Sequence, residues 1–230
     1  MTEPDNEPRF GKDVTRDLPP RSDIETRRWG VILAGGDGIR LRKLTRFICG
    51  DDRPKQFCPL LGDSSLVQET RRRAERSIDP HQILYSVTRI HQDHYVRDLA
   101  DRTSQTIVQP GNKGTAPAIL SALLCISQMD RDALVAILPC DHYYSRETEF
   151  TSAFDSAFAI AGERTASVVL LGAQPKAAEV EYGWIELGEG LISPYVSPHV
   201  SPSRTAFQVK SFQEKPPPLR ANMSETLLDR

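Results

Sequence analysis

Short apolar runs alternate along the chain with longer segments whose apolar residues recur at helical spacing. The runs predict strands at residues 30–34, 82–87, 105–109, 133–138 and 167–172. The periodic segments predict helices at residues 66–74, 93–100, 118–129 and 150–161. Strands that alternate with helices in this way form βαβ units. We therefore expect an α/β fold with a mostly parallel central sheet and helices on both faces.

The rest of the chain has a different pattern. Residues 184–187 and 207–212 alternate between apolar and polar side chains, which predicts two further strands in a small mixed β extension. Ser-Pro pairs recur over 193–202, as in exposed loops. Residues 1–28 and 217–230 offer little for a core. We therefore expect a disordered N-terminal tail, one domain over 29–216 with order beginning at Trp29, and a Pro-containing C-terminal tail.

Composition and charge exclude several classes of protein. The chain has 230 residues and a formal net charge of −2, whereas a general nucleic-acid binder carries a basic excess. The arginines of residues 71–73 are accordingly interpreted as a solvated helix face. No apolar run approaches the roughly 18 residues of a membrane span, and because the first thirty residues are polar we expect no secretory signal. We therefore expect a cytoplasmic protein with neither a nucleic-acid nor a membrane partner.

The cysteines and two histidines offer little sign of a metal centre. The cysteines contain no C-x-x-C pair, which favours reduced thiols over a disulfide framework or a zinc site. They are Cys49, Cys58, Cys125 and Cys140. His91 and His94 could share a helix face and bind a metal, but no Cys or Glu stands near them. An exposed surface position is the favoured interpretation.

A glycine-rich loop after the first predicted strand is the first candidate for chemistry. In Gly35-Gly36-Asp37-Gly38-Ile39-Arg40, backbone N–H groups can approach phosphate oxygens and the arginine adds a forked cation. The loop lacks the Gly-Lys-Ser/Thr of a P-loop, and Leu41 stands where a dinucleotide-binding fingerprint has glycine. A tight turn that binds no ligand is the alternative.

Further polar residues stand where ligands often bind, and each has a structural alternative. Lys55 follows a proline and could project a charge towards a phosphate, or be an ordinary surface lysine. Thr115 could offer its hydroxyl to a nucleobase or cap a helix. Asp141, after a buried strand, could bind magnesium or cap a helix. The Glu214-Lys215 pair could meet a ligand or form a surface ion pair.

Three of the candidate loops should lie close together. Gly35, Pro110 and Asp141 each follow the carboxyl end of a predicted strand. Ligands of parallel sheets bind beyond these carboxyl ends. We therefore expect the three loops to meet at one crevice.

The order of six segments resembles the nucleotidyltransferases that make NDP-sugars. Between Trp29 and about Pro216 the segments are LAGGDGIRL, RPKQF, QPGNKGTAPAI, LPCDH, YGWIE and FQEKP. RPKQF and GNKGTAPAI are similar to the mannose-1-phosphate guanylyltransferase branch. The resemblance implies a Rossmann-like nucleotidyltransferase fold. It also implies that mannose 1-phosphate attacks the α-phosphorus of GTP to give GDP-mannose and pyrophosphate, with Mg²⁺ as cofactor.

The resemblance further implies roles for individual residues. Arg40 would stabilise the leaving pyrophosphate, Lys55 would neutralise the reacting phosphates and Asp141 would hold Mg²⁺. Lys215 completes the catalytic set. The residues expected to bind the nucleotide are Leu33, Ala34, Gly35, Gly36, Gly38, Gln109, Gly114 and Thr115. Those expected to reach the sugar and its phosphate are Gly183, Glu214 and Lys215.

Departures from the family pattern keep other classes open. Ile39 stands where the family has Thr or Ser, Lys43 where it has proline, and Cys140 where it has a small residue. The family continues after its Glu-Lys-Pro segment with a second metal-binding aspartate, so we expect a C-terminally truncated member. The alternatives are another NDP-sugar pyrophosphorylase and a non-catalytic nucleotide-binding or NDP-sugar-binding protein. An uncovered sheet edge could also join copies into a homo-oligomer.

Overall fold

A computed structural model describes residues 21–164, 167–174, 180–191 and 206–215. The predicted C-terminal tail, the predicted Ser-Pro loop and residues 1–20 of the predicted N-terminal tail lie outside the described residues. The α-helices are α1 (Arg21–Thr26), α2 (Arg42–Cys49), α3 (Leu66–Ala74), α4 (Gln92–Asp98), α5 (Thr115–Met129) and α6 (Glu147–Glu163). The strands are β1 (Arg28–Leu33), β2 (Ile83–Thr88), β3 (Thr106–Gln109), β4 (Leu134–Pro139), β5 (Gly183–Leu191) and β6 (Ala206–Glu214).

The strands β1 to β4 form one parallel sheet in the order β3-β2-β1-β4. The register pairs Gly30 with Ile83 and Trp29 with Val135. The chain runs outward from β1 through β2 to β3 and then returns to the other side of β1 for β4. Loops that leave such a reversal at the carboxyl ends diverge and open a crevice. The four strands predicted for this sheet and their parallel arrangement are confirmed.

Helices cover both faces of the sheet, as the sequence predicts. Successive residues of a strand point to opposite faces. Ile32 accordingly belongs to the larger core cluster, which contains side chains of α1, α3, α4 and α6. Val31 belongs to a second cluster, which contains side chains of α5. No helix among the described residues has both the length and the apolar character that crossing a bilayer requires.

Order begins earlier than Trp29, so the predicted boundary of the N-terminal tail is wrong. Helix α1 precedes β1, and its Ile24 is only 2% exposed within the larger core cluster. A Cβ atom on Gly162 of α6 would lie 3.2 Å from Ile24 Cδ1, so the two helices pack closely. One buried isoleucine in an otherwise polar segment is a weak sequence signal, because it shows no periodicity.

Residues 167–172 do not form the strand that their apolar run predicts. Val168 is 87% exposed, and the run pairs with no strand among the described residues. A strand depends on hydrogen bonds to a neighbour, so apolar character alone is insufficient. The strands β5 and β6 do pair, with Gly183 opposite Glu214. They form a two-stranded antiparallel sheet in place of the predicted mixed extension.

Two predicted surface side chains are buried. The guanidinium of Arg73 lies 4.8 Å from the centroid of the Tyr144 ring and 3.5 Å from Glu147. A cation over an aromatic face keeps a favourable interaction when it loses water, which explains how this arginine can be buried. His91 is buried beside Phe57, at 6.3 Å between ring centroids. The exposed-surface interpretation is therefore wrong for Arg73 and His91.

Candidate active site

The loops after β1, β3 and β4 meet at the carboxyl edge of the sheet. Asn112, after β3, donates from Nδ2 to Asp37 Oδ2, after β1, at 3.1 Å. Lys55 forms an ion pair with Asp141, which follows β4. The structure thus brings the three predicted loops to one crevice, and it adds the turn that carries Lys55.

The three glycines of the loop meet different constraints. A Cβ atom at Gly35 would lie 2.9 Å from Thr88 Oγ1, so the approach of β2 excludes a side chain there. Gly38 has a φ of 60°, and its Cβ would lie 3.0 Å from Lys55 N. At Gly36 nothing lies within 4 Å of a Cβ position. The fold therefore requires glycine at Gly35 and Gly38, whereas Gly36 borders open space.

Two side chains that sequence reasoning missed hold the carbonyl groups of this loop. Gln56 is 1% exposed and donates from Nε2 to Ala34 O at 2.9 Å and to Gly36 O at 2.7 Å. Thr88 donates from Oγ1 to Gly35 O at 2.8 Å. The position of Gln56, directly after Lys55 and before an apolar phenylalanine, was the available signal. A buried amide needs hydrogen-bond partners, and backbone carbonyls of a neighbouring loop can supply them.

Leu33 and Ala34 face the interior. Ala34 is buried in the larger core cluster, and Leu33 packs against the second one. The N–H group of Ala34 donates to Ser86 O at 2.8 Å, and its carbonyl accepts from Gln56. Both backbone groups of Ala34 are therefore engaged within the protein, and the structure gives this residue a supporting position beneath the loop.

The ion pair of Lys55 and Asp141 lies at the mouth of the crevice. The side chains are 32% and 36% exposed. Burial raises the pKa of Asp141, but the hydrogen bond and the charge of Lys55 outweigh this effect and hold the pKa below its usual value. Helix α6 begins only at Glu147, so Asp141 does not cap a helix. Lys55 is likewise not an unpaired surface lysine.

The loop after β3 leads into α5 through a glycine. Gly114 is the N-cap, has a φ of 90°, and donates from its N–H to Asn112 Oδ1 at 2.9 Å. Thr115 is the first helical residue and is exposed, so the alternative that Thr115 caps α5 is wrong. Gln109 donates from Nε2 to Ser86 Oγ at 3.0 Å and lies beside Gly35.

Arg40 and His91 flank the glycine loop. Arg40 is exposed in a short 3-10 turn directly after Gly38. His91 Nε2 lies 4.0 Å from Asp37 Oδ1. Burial lowers the pKa of His91, and the charge of Asp37 opposes this shift. Arg40 is therefore an accessible cation next to the glycine loop, whereas His91 is a buried side chain near Asp37.

The buried cysteines near the crevice are not activated nucleophiles. Burial raises the pKa of Cys58 to about 12 and that of Cys140 also to about 12. Both are therefore protonated thiols at neutral pH, in agreement with the free cysteines expected from the sequence. Cys58 Sγ lies 2.9 Å from Cys49 Sγ.

The residues predicted for the sugar lie together on the β5–β6 hairpin. Gly183 pairs with Glu214, and a Cβ atom at Gly183 would lie 2.5 Å from Phe212 Cζ. Lys215 has a φ of 45° and donates from its N–H to Tyr182 O at 3.1 Å. Within the described part of the chain, no hydrogen bond or ion pair joins these residues to Lys55 or Asp141.

Asp141 is the candidate metal ligand. No cluster of three or more His, Cys, Asp or Glu side chains suited to a metal occurs in the described residues, so the His91–His94 alternative gains no support. A single carboxylate still suits Mg²⁺, which keeps most of its waters and binds through one or two carboxylates and substrate phosphates. Asp141 is ionised and already holds a cationic group, the Lys55 ammonium. The donor set therefore fits Mg²⁺ delivered with a nucleotide.

Comparison with known proteins places the chain in a family. Residues 29–226 match the family described as nucleotidyl transferase, and the chain belongs to it. The xanthan biosynthesis protein XanB of Xanthomonas campestris pv. campestris (strain B100) is 33% identical over 163 residues, which are 70% of this chain and 33% of that protein. The mannose-1-phosphate guanylyltransferase of Escherichia coli is 32% identical over 194 residues, 83% of this chain and 38% of that protein.

A solved structure supports the same placement. The crystal structure described as a mannose-1-phosphate geranyltransferase from Thermus thermophilus matches with a TM-score of 0.66 and 29% identity. The match covers 87% of this chain and 53% of that one. The family and the Rossmann-like nucleotidyltransferase fold inferred from the sequence are thus confirmed. The chain spans about a third of the length of the curated relatives it matches.

Proposed function

We propose that this chain transfers a guanylyl group from GTP to mannose 1-phosphate and forms GDP-mannose and pyrophosphate. The observation that carries this proposal is the Lys55–Asp141 pair beside the glycine loop. This pair places an ammonium group that can bind phosphates, and a carboxylate that can bind a metal, next to a glycine loop that can bind anions. The family membership and the relatives named as mannose-1-phosphate guanylyltransferases support the reaction and the substrates.

The chemistry requires charge stabilisation more than covalent work by the protein. An oxygen of the sugar 1-phosphate attacks the α-phosphorus of GTP, and the bond to the β-phosphate oxygen breaks. The glycine loop, residues 35–38, binds the triphosphate through its backbone N–H groups. Arg40, exposed directly after the loop, stabilises the leaving pyrophosphate. Lys55 neutralises the reacting phosphates, so that the two substrates can approach each other.

Asp141 would hold Mg²⁺ in this scheme. Bound there, the ion supplies a Lewis acid that polarises and orients the α-phosphate. The contribution of Asp141 itself is a carboxylate that stays ionised at neutral pH. Lys55 neutralises that carboxylate in the ligand-free protein and turns to the phosphates when they bind.

The two substrates occupy different elements. Gln109 at the end of β3 and Gly114 and Thr115 at the entrance to α5 receive the guanine, and the exposed hydroxyl of Thr115 can bond to its edge. Gly183, Glu214 and Lys215 on the hairpin receive the sugar and its phosphate. The residues that bind the sugar phosphate thus lie on the β5–β6 hairpin, and those that bind the nucleotide lie at the carboxyl edge of the parallel sheet.

Nucleotide binding without turnover is the second candidate. The observation that favours it is again the Lys55–Asp141 contact, because each group neutralises the other in the ligand-free protein. Ile39 and Lys43 favour it too, since they change the exit of the glycine loop relative to the family pattern.

Pyrophosphate release by the purified chain separates the two candidates. The assay combines GTP, mannose 1-phosphate and MgCl₂, and repeats with ATP, UTP and CTP and with glucose 1-phosphate. We expect turnover to be fastest with GTP and mannose 1-phosphate. The Lys55→Met variant should lose this turnover. Lys210→Met is the matched control, because Lys210 forms an exposed ion pair with Glu186 on the hairpin.

Thermal shift with the same nucleotides completes the experiment. A GTP-dependent rise in melting temperature without pyrophosphate release supports the binding protein and contradicts the enzyme. Equal stabilisation by all four nucleotides contradicts the choice of GTP. An equal loss of turnover in Lys55→Met and Lys210→Met contradicts the assigned role of Lys55.

A further inference from the structure

Three consecutive carbonyl groups, at the start of the glycine loop and directly before it, are each held by a side chain from another element. Gln56 holds those of Ala34 and Gly36, and Thr88 holds that of Gly35. Gln56 and Thr88 are each 1% exposed. Because the donors are buried, these hydrogen bonds do not compete with water and they define the orientation of the peptide groups.

Fixing a carbonyl also fixes the next amide. The described residues contain no cis peptide bond, and a planar trans peptide points its C=O and the following N–H in opposite directions. The amide N–H groups of Gly35 and Asp37 therefore point away from Gln56, and that of Gly36 points away from Thr88. In the described part of the chain, these three N–H groups have no hydrogen-bond acceptor. They are therefore unpaired donors, and the loop borders open space at Gly36.

We infer that Gln56 and Thr88 are positioning residues that aim these three N–H donors at the phosphates of the nucleotide. Gln56 has a second effect through its place in the chain. It belongs to the same short turn as Lys55, Lys55–Phe57, so its hydrogen bonds also tie the lysine to the loop. The three N–H donors and the Lys55 ammonium group therefore have a fixed arrangement before a nucleotide binds. The inference rests on the proposed function for the identity of the ligand.

The chain contains a matched control for Gln56. Gln105 is 8% exposed and donates from Nε2 to Pro80 O at 2.6 Å and to Ile83 O at 2.7 Å. It makes the same pair of amide-to-carbonyl bonds, but at the amino end of β2. A substitution at Gln105 therefore removes a similar stabilising contact far from the crevice.

The test compares Gln56→Glu with Gln105→Glu. Each change keeps the shape of the side chain and sets a carboxylate against two carbonyl oxygens. We expect both variants to lose thermal stability to a similar extent. Only Gln56→Glu should weaken GTP binding, by roughly tenfold or more, measured by isothermal titration calorimetry. Thr88→Val should weaken GTP binding in the same way. Thr88→Ser, which keeps the hydroxyl, should bind GTP as wild type does.

A pH profile distinguishes positioning from simple destabilisation. Burial and the two carbonyl oxygens raise the pKa of the carboxyl introduced by Gln56→Glu. Once protonated, it can donate to one carbonyl. GTP affinity of Gln56→Glu should therefore recover partly as the pH falls from about 8 to about 6. The affinities of wild type and Gln105→Glu should show no such recovery.

Residual dipolar couplings measure the N–H orientations without any ligand. We expect the couplings of Gly35 and Asp37 to change in Gln56→Glu, that of Gly36 to change in Thr88→Val, and none of them to change in Gln105→Glu. If wild type binds no nucleotide while these couplings change as expected, the proposed function fails, whereas the role of Gln56 and Thr88 in orienting the loop N–H groups stands. Loop couplings and GTP affinity that match between Gln56→Glu and Gln105→Glu would overturn the inference.

Discussion

The carboxyl edge of the parallel sheet and the β5–β6 hairpin both carry candidate site residues, but they hold them by different means. At the sheet edge, side chains from other elements fix the glycine loop: Gln56, Thr88 and Asn112 all bond to it. On the hairpin, Gly183 and Glu214 are held by strand pairing, and most of β6 is exposed. The first region has its geometry before a ligand arrives, and the second has fewer constraints.

This difference predicts separate roles for the two regions in substrate binding. Groups that are prearranged lose little entropy on binding, so they contribute strongly and tolerate little change. Groups on a lightly held element can adjust to a change nearby. We therefore expect substitutions at the sheet edge to cost more than substitutions on the hairpin, and the sheet edge to govern the nucleotide while the hairpin governs the sugar phosphate.

Asp141→Asn should have the largest effect. The change keeps the side-chain volume and removes the charge that pairs with Lys55 and that a cation requires. We expect turnover to fall roughly a hundredfold or more, about 2.7 kcal/mol, with an unchanged circular dichroism spectrum. Pyrophosphate release at varied MgCl₂ measures it. Asp101→Asn, which loses an exposed ion pair with Arg71, should keep normal turnover. Normal turnover in Asp141→Asn would remove Asp141 from the site.

Alanine at Gly36 and at Gly35 should separate binding from folding. Gly36→Ala meets no atom within 4 Å, so its stability should be unchanged or slightly raised, while GTP affinity falls roughly tenfold. Gly35→Ala would place its Cβ 2.9 Å from Thr88 Oγ1, so it should lose about 1–3 kcal/mol of stability. Calorimetry measures both quantities. Unchanged GTP affinity in Gly36→Ala would show that the open space at Gly36 does not face the nucleotide.

Gly183→Ala tests the hairpin side of the comparison. Its Cβ would lie 2.5 Å from the Phe212 ring, but that ring is exposed and can move. We expect the KM for mannose 1-phosphate to rise several-fold and the KM for GTP to stay the same. Adding Phe212→Leu should reverse the change by making room for the new methyl group. A parallel rise in both KM values would contradict the division between the two regions.

The smallest expected effect is the contribution of the buried His91 to the pH dependence of stability. Burial lowers the pKa of His91 below its usual 6.5. As the pH falls through 6.5, the unfolded chain takes up a proton that the folded protein resists. The stability is therefore complete above this pH and decreases below it. His91→Gln should reduce the loss of melting temperature between about pH 7.5 and about pH 5.5. Equal losses in variant and wild type would exclude His91 as the cause.

The sheet could be predicted because helices cover both of its faces, so its strands carry apolar side chains on both sides. Each of β1 to β4 shows as an apolar run, and the Ser65–Gln68 capping box that precedes α3 is present. The same reasoning failed for residues 167–172, because an apolar run becomes a strand only beside a partner. It also missed α1, since a single buried isoleucine carries no periodic signal.

The candidate site, like the fold, could be predicted from the sequence only in part. Gly35, Lys55 and Asp141 were predicted as site residues from their places in the motifs, and the structure brings their segments together. Gln56 and Thr88 were missed because their partners are backbone atoms on other elements, and the local sequence offers at most the place of Gln56 before an apolar phenylalanine. His91 was wrongly interpreted as exposed for a related reason, since Phe57 buries it from a distant part of the chain.

The pairing of β1 with β4 also has a consequence for how the protein folds. Arg28 lies beside Leu134 in this pair, so roughly 100 residues must close into a loop before the central strand has both neighbours. Closing a loop of that length costs about 4 kcal/mol of chain entropy, and contacts so distant in sequence slow folding. Lys55 and Asp141 meet only after this closure. We therefore expect the Lys55–Asp141 pair to be among the last features of the site to form.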